Sequence, residues 1–357
     1  MNSLLNISCS KNLSLKGRIL ILKSLILPQI NFVLSNIYCP MHILQKIDKL
    51  ITLFVWNNKP PKVKKSTIVA NYADGGLKMP DIFVIHTVAK VKWIKKLVDP
   101  GIKGNWQNLF LYLLNIKKNL IKHKLPRNFK SKGLTPFHKQ VLECWEEFHG
   151  TEPNSVEDIC NELIFDNKFI CSDNDPLKPN RLNLPNSEIV QNLKIYDLIN
   201  VDGKLLIQDQ FYIKCHIALD NLSYNKIVSS IPRSWKEKLK LKREPIVIYE
   251  DVTVRARGAL KQLSKINNKS MYWIAVDRII KEPTAVETWI NEFPFLVNAP
   301  WHKIFAIPHK ISPEPYVHSF QYKIVNRILN CGVNLHKWKI RDSPLCTYCN
   351  NIDSIEH

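Results

Sequence analysis

The sequence predicts a mainly α, elongated and multi-part helical protein with a few short strands or hairpins. Two observations carry this prediction: apolar residues recur at helical intervals in several segments, and no internal repeat or low-complexity tract interrupts them. The chain has 357 residues, 45% of them hydrophobic, with 21 Pro and 10 Gly. That length corresponds to about two domains. The composition excludes disordered and fibrous chains.

Helical spacing is strongest between residues 42 and 56. Ile43, Ile47, Ile51 and Phe54 fall on one face there, which predicts an amphipathic helix. A second helix is predicted around Trp93, and its exposed arc carries Lys90, Lys92, Lys95 and Lys96. Further predictions are helices over residues 109–125, 140–148, 211–222, 272–280, 287–292 and 320–329, a turn over 201–204, a charged linker over 236–243 and a short strand over 246–248.

Residues 19–38 form the most apolar stretch of the chain. Lys23, Pro28, Gln29 and Asn31 interrupt it well short of the roughly 18 consecutive apolar residues typical of a membrane span. These interruptions predict a buried helix that is kinked or broken at Pro28. Neither a membrane partner nor an export signal is predicted.

The charge is distributed unevenly along the chain. The formal net charge is +20, and residues 1–142 account for all of it, with 24 Lys/Arg and 4 Asp/Glu. Residues 143–232 hold 7 basic and 15 acidic groups, whereas residues 233–269 hold 11 and 4. The pattern predicts three parts, namely a strongly basic helical region over 1–142, a mixed, mostly helical linker region over 143–300 and a helical C-terminal region over 301–357. RNA or DNA is the partner that such a surplus favours.

Two groups of lysines lie beside a Trp. Lys59, Lys62, Lys64 and Lys65 occupy a Pro-stiffened loop directly after Trp56, and Lys90, Lys92, Lys95 and Lys96 surround Trp93. Lysines can neutralise phosphates and an exposed ring can stack on a base. We therefore expect the eight lysines to contact nucleic acid, whereas the helical spacing of the two Trp residues favours core anchors over stacking platforms.

The cysteines are odd in number and scattered. There are 9 of them, with one close pair. This is not the pattern of a disulfide framework, and it predicts an intracellular protein, nuclear or cytoplasmic, that is not secreted.

The only sign of polymerase chemistry is the segment Asn71-Tyr72-Ala73-Asp74, which has half of a Tyr-x-Asp-Asp hairpin. Two-metal phosphoryl transfer needs a second adjacent carboxylate, but Gly75-Gly76 follows, and no other acidic residue lies between Asp48 and Asp81. The segment therefore predicts a turn. Phosphate-binding Gly-rich loops and nucleophile elbows are absent from the sequence, so no enzyme activity is predicted.

The C-terminal residues have the spacing of a zinc knuckle. Two residues separate Cys346 from Cys349, and seven residues separate Cys349 from His357. Two thiolates from a tight turn and an imidazole are typical zinc ligands, but a closed structural site has four. The sequence therefore predicts an incomplete zinc site with three ligands and weak zinc binding, with Cys331 and His336 as substitutes for the fourth.

Six motifs carry a resemblance to a known family. They are Leu15-Lys-Gly-Arg18 with Lys23-Ser-Leu-Ile-Leu-Pro28, Leu53-Phe-Val-Trp-Asn57 with Lys59-Pro-Pro-Lys-Val-Lys64, Gly75-Gly-Leu-Lys-Met-Pro-Asp81, Ile231-Pro-Arg-Ser-Trp-Lys236, Phe320-Gln-Tyr-Lys-Ile324 with Arg327-Ile-Leu329, and Leu345-Cys-Thr-Tyr-Cys349 with Glu356-His357. In order and approximate spacing they resemble the segment that follows the polymerase domain in LINE-type, non-long-terminal-repeat retrotransposon reverse transcriptases. The resemblance extends over nearly the whole chain.

This resemblance implies a thumb-like region and RNA-binding helices that end in a Cys-Cys-His-Cys knuckle. It implies RNA, DNA or a separate reverse transcriptase domain as partners. The family's endonuclease, polymerase palm and last knuckle Cys have no counterpart in the sequence, so we expect a non-catalytic fragment. The alternative is a scaffold whose acidic middle pairs with its own basic part or with a partner protein.

Overall fold

Helices dominate the described residues of this computed structural model, which are 13–99, 101–102, 104–114, 134–149, 152–173, 175–182, 184, 188–241, 245–249, 252–256, 259–311 and 314–357. The predicted mainly α class is confirmed. Strands within these ranges are limited to two short antiparallel pairs.

The helices follow one another in short steps along the chain. As far as residue 161 they are α1 (Leu15–Asn36), α2 (Met41–Val55), α3 (Lys65–Val69), α4 (Ile82–Val98), α5 (Asn105–Leu114), α6 (Pro136–His149) and α7 (Val156–Asn161). The later ones are α8 (Glu188–Gln191), α9 (Gln208–Cys215), α10 (Asn221–Ser230), α11 (Arg233–Leu239), α12 (Asn268–Val276), α13 (Thr284–Glu292), α14 (Trp301–Ala306), α15 (Pro308–Ile311), α16 (Pro315–Val325) and α17 (Gly332–Lys337). Short 3₁₀ turns cover Tyr72–Asp74, Pro179–Leu182, Ile195–Leu198, Leu263–Lys265 and Pro294–Asn298.

The chain divides into two units. The first consists of Met1–His86 and Ala275–His357, and the second of Thr87–Ile274. This division differs from the three regions over 1–142, 143–300 and 301–357 that the charge pattern predicted. The charge pattern groups residues that are neighbours in sequence, whereas the first unit joins segments far apart in sequence.

Helix α1 is continuous through Pro28, so of the predicted kink or break the break does not occur. A π-helical turn over Leu22–Ile26 precedes an α-helical segment over Leu27–Asn36. Pro28 therefore follows a π-helical turn inside α1, an irregularity of the kind found where a helix accommodates a proline. By length and composition alone α1 is apolar enough to cross a membrane, and 28% of its most apolar window is buried.

The predicted burial of α1 is wrong for one of its faces. Leu22, Ile26 and Leu34 are buried, but Leu20 is 65% exposed and Phe32 is 75% exposed. Among the described residues, α1 therefore packs through the face that carries Leu22, Ile26 and Leu34. An apolar stretch in the sequence does not say how many neighbours the fold supplies.

The turn predicted at Asp74 is confirmed. The Asn71 side chain accepts a hydrogen bond from the Tyr72 N–H, and Gly75 has φ +79°. A Cβ at Gly76 would lie 2.1 Å from the Ala70 carbonyl oxygen, so only glycine fits there. Asp74 is exposed on this turn and lies on no strand.

The second unit has its core among short elements between residues 159 and 248. Trp235, Phe211 and Ile164 are completely buried at its centre. Two hairpins accompany this core: β1 (Cys171–Ser172) pairs with β2 (Asp175–Pro176), and β3 (Thr253–Ala256) pairs with β4 (Ala259–Gln262).

Several boundaries of helices, strands and linkers predicted from the sequence differ in the structure. The predicted linker over 236–243 begins inside α11, because Trp235 and Leu239 bury one helical face, and residues 246–248 form no strand. The helix predicted over 211–222 ends at Cys215, since His216 takes φ +54°. Residues 115–125 of the helix predicted over 109–125 lie outside the described residues. The turn over 201–204 is confirmed by Gly203 at φ +76°.

Candidate metal centre and basic surface

The C-terminal knuckle is built on a short hairpin in the first unit. Leu345 and Ile352 form an antiparallel bridge, and the Cys346 N–H donates to the Asn351 carbonyl at 2.7 Å. The Asn350 N–H donates back to the Cys346 carbonyl at 3.1 Å, with Asn350 at φ +58°. Because the backbone reverses so tightly, the two Cys side chains meet on the same side of the turn.

Three potential metal ligands converge at this turn. One ligand atom each from Cys346, Cys349 and His357 lies within 4.8 Å of the others, and the Cys349 Sγ is 3.3 Å from the His357 Nε2. The edges of a zinc tetrahedron with sulfur ligands are about 3.8 Å long, from a bond length of about 2.3 Å. The residues present therefore fit a metal ion and could hold one.

The electrostatics of the turn favour the ligand form of one thiol. Backbone N–H groups of Tyr348 and Cys349, followed by His357, lower the pKa of Cys346 to about 7. Because the thiolate and not the thiol binds metal, this lowered pKa increases the fraction of ligand-competent sulfur near neutral pH.

Packing around the knuckle fixes it to the rest of the unit. The Asp353 carboxylate accepts from the Gly332 N–H at 2.7 Å, and the Asp353 carbonyl accepts from the Val333 N–H at 3.0 Å. A Cβ at Gly332 would lie 2.6 Å from the Pro344 carbonyl oxygen, so the close approach needs glycine. Arg327 forms ion pairs with Glu292 at 2.6 Å and with Glu356, next to His357, at 2.9 Å.

Neither substitute for the fourth ligand joins the cluster. Cys331 is buried at the start of α17, and the His336 Nδ1 is 3.2 Å from the Arg341 carbonyl oxygen. Within the described ranges the group consists of the three residues that the spacing identified.

The four lysines of the loop after Trp56 have different environments. Lys59 and Lys64 are exposed. The Lys62 ammonium donates to the Asn330 Oδ1 at 2.9 Å and lies 3.5 Å from the centre of the Trp338 ring. This contact joins the loop to the segment around α17, which carries the knuckle.

Lys65 is engaged within the protein. Its ammonium is 2.6 Å from the Asp48 carboxylate and 2.8 Å from that of the buried Asp81. Asp81 in turn accepts from the Phe83 and Val84 N–H groups at the start of α4. Lys65 therefore compensates the charge of a helix cap, and the expectation that it faces phosphate is not supported by its position.

The lysines of α4 do not form the exposed arc that the spacing predicted. Lys90 is completely buried, with its ammonium 4.5 Å from the centre of the Phe137 ring on α6. Lys95 donates to the Ile266 carbonyl at 2.6 Å. Lys96 is exposed and Lys92 is half-buried, with its pKa lowered by burial and then by Lys96. The prediction fails for Lys90 because α6 covers that side of α4.

Both Trp residues are half-buried. Trp93 meets Trp106 and Phe137 edge-to-face, with ring centroids 5.4 and 5.5 Å apart. Its aromatic surface is thus largely used for packing within the second unit.

Sequence reasoning missed a cationic cluster around Tyr72, formed by Lys16, Lys23 and Lys78. Lys16 and Lys23 lie two turns apart on α1, whereas Lys78 lies more than 50 residues later, so only the fold brings all three together. No protein-family model matches the chain.

Proposed function

We propose that this chain is a non-catalytic region that binds RNA or RNA/DNA, similar to the part of LINE-type reverse transcriptases that follows the polymerase, and that its knuckle carries zinc. The observation that supports this most is the convergence of the Cys346, Cys349 and His357 ligand atoms in the same unit as an exposed basic loop. Thiolate and imidazole together are typical zinc ligands.

The loop offers cations that the fold leaves unneutralised. Within the described part of the chain, no carboxylate lies within 4.0 Å of the Lys59, Lys62 or Lys64 ammonium. The pKa of Lys62 is lowered by burial and then by the nearby Lys323 and Lys59. A phosphate at this position would relieve that repulsion, which favours nucleic acid over a purely structural role.

The metal has a structural part in this proposal. Cys346, Cys349 and His357 would hold the ion, and the bound zinc would cross-link the hairpin to the residues that follow it. Three protein ligands leave one position open, so we expect weaker binding than in a closed four-ligand site.

The salt dependence of binding tests the nucleic-acid proposal. About five neutralised phosphates on a DNA duplex give a slope of about −4.5 for log K against log salt concentration, and the slope is shallower on single-stranded RNA. The measurement is fluorescence anisotropy of the full chain with labelled RNA and duplex. Absence of binding at about 50 mM salt, or affinity independent of salt, would contradict the proposal and favour the scaffold.

Cobalt absorption tests the metal centre. We expect Co²⁺ to give tetrahedral thiolate bands with the full chain, and we expect Cys349→Ser to abolish them because a coordinating sulfur is lost. Cys331→Ser is the matched control, since this buried thiol lies outside the cluster. Equal spectra for both variants would show that the three ligands do not act as one site.

A further inference from the structure

A cavity of about 330 Å³ lies beside the first turns of α1, within the first unit. The cavity is lined by Lys16, Leu20 and Lys23 of α1, by Tyr72 of the 3₁₀ turn and Leu77 just after that turn, and by Tyr316 at the start of α16. Cavities that hold small organic ligands measure about 300–1,000 Å³, so this one is sized for a single small molecule or one nucleotide unit.

Two lysines, Lys16 and Lys23, line this cavity, and a third, Lys78, lies against the Tyr72 ring that forms part of its wall. The Lys78 ammonium lies 4.4 Å and the Lys16 ammonium 5.7 Å from the centre of the Tyr72 ring. Lys16 also contacts the His318 Nδ1 at 2.7 Å. Lys23 lies close enough to Lys78 for its pKa to be lowered to about 8, mainly by burial and then by that charge.

The described residues supply no counter-charge to this cluster. No carboxylate among them forms an ion pair with Lys16, Lys23 or Lys78. Like charges held together in a partly desolvated site are destabilising in isolation, and a bound anion removes that cost. The cluster therefore has the electrostatics of an anion site.

The rest of the cavity wall is aromatic and apolar. Tyr316 is 71% exposed at the start of α16, immediately after Pro315, and its ring is available to a ligand. His309 does not line the cavity but stacks on Tyr72, which does, with ring centroids 3.9 Å apart. The pKa of His309 is lowered to about 4 by burial and by neighbouring cations, so this stacked imidazole is neutral near pH 7 and adds no charge of its own. Cations beside a flat apolar surface match a phosphate joined to a base.

We propose that this cavity binds one nucleotide unit of a single strand, with the phosphate at Lys16, Lys23 and Lys78 and the base against Tyr316 and the apolar wall. The proposal rests on the proposed nucleic-acid function and makes it specific. The proposal assigns two different roles. The cavity would bind a single nucleotide, whereas the loop of Lys59 and Lys64 would contact the phosphate backbone of the nucleic acid without a cavity.

The test compares three probes on the full chain by isothermal titration calorimetry. AMP carries base and phosphate, adenosine lacks the phosphate, and inorganic phosphate lacks the base. We expect AMP to bind at least tenfold more tightly than either. Equal affinities of AMP and inorganic phosphate would leave only an anion site and overturn the proposal, and equal affinities of AMP and adenosine would overturn the role of the lysines.

Variants identify the residues. The double variant Lys23→Gln with Lys78→Gln should lower the affinity for AMP at least tenfold. Lys46→Gln, at an exposed position on α2, should leave that affinity unchanged. Tyr316→Ala should lower the affinity for AMP and not that for inorganic phosphate. Because Tyr316 is exposed, this variant should fold even if the double lysine variant does not. Unchanged AMP binding in Tyr316→Ala would contradict the proposed site.

The same proteins separate this proposal from the broader one. Lys59→Gln with Lys64→Gln should retain AMP binding while losing affinity for long RNA. If the wild type binds RNA but not AMP, the cavity proposal alone fails. If it binds AMP but no RNA, the cavity takes a free nucleotide and the nucleic-acid function fails.

Discussion

Two lysine groups with the same sequence pattern differ in how many of their ammonium groups the fold leaves exposed. The loop after Trp56 leaves Lys59 and Lys64 exposed, whereas the helix around Trp93 buries Lys90 and bonds Lys95 to a backbone carbonyl. Two of the loop lysines stay exposed after a proline-stiffened turn, whereas the part of α4 that carries Lys90 and Lys95 packs against Phe137 and Ile266 within the second unit. The difference teaches that a basic pattern predicts a binding surface only where the backbone is left uncovered.

The largest expected effect on stability comes from substitution of Lys90. Lys90→Ala should lower the free energy of unfolding by about 2–4 kcal/mol, because it leaves a cavity and removes a buried cation from beside the Phe137 ring. Urea denaturation measures it. The control is Lys96→Ala at an exposed position of the same helix, which should change stability by less than about 0.5 kcal/mol. Equal effects would mean that Lys90 faces solvent.

A second comparison lies within the loop itself. Lys65→Met should cost about 1–3 kcal/mol of unfolding free energy, because the buried Asp81 carboxylate loses its cation. Lys64→Met, one residue earlier, should be within about 0.5 kcal/mol of the wild type because Lys64 is exposed. Thermal or urea unfolding of both variants measures the difference. A Lys65→Met protein as stable as the wild type would show that Lys65 does not stabilise Asp81 and is free to bind a ligand.

The sequence predicted local features well. The apolar spacing located α2 and α4, and the Cys and His spacing located the three atoms that meet at the knuckle. The turn at Asp74 followed from Gly75 and Gly76, whose backbone positions exclude side chains. Each of these depends on residues close together in the chain.

Features that depend on distant contacts were not predictable. The burial of Lys90 depends on α6, and the exposure of Leu20 and Phe32 depends on which described segments pack against α1. Likewise, residues 1–86 and 275–357 form one unit through packing across a long sequence interval. Charge and periodicity in the sequence carry no information about packing partners that lie far away along the chain.

The direct test of the central claim compares the two lysine groups as RNA ligands. Lys59→Gln with Lys64→Gln should weaken RNA binding about tenfold at low salt and reduce the magnitude of the log–log salt slope by about 1.4, since two phosphate contacts to a single strand are lost. Lys92→Gln with Lys96→Gln should reduce it by at most about 0.7, because Lys92 is half-buried. Anisotropy titrations at several salt concentrations give both slopes. A loop variant indistinguishable from the wild type, or a helix variant with the larger loss, would contradict the account.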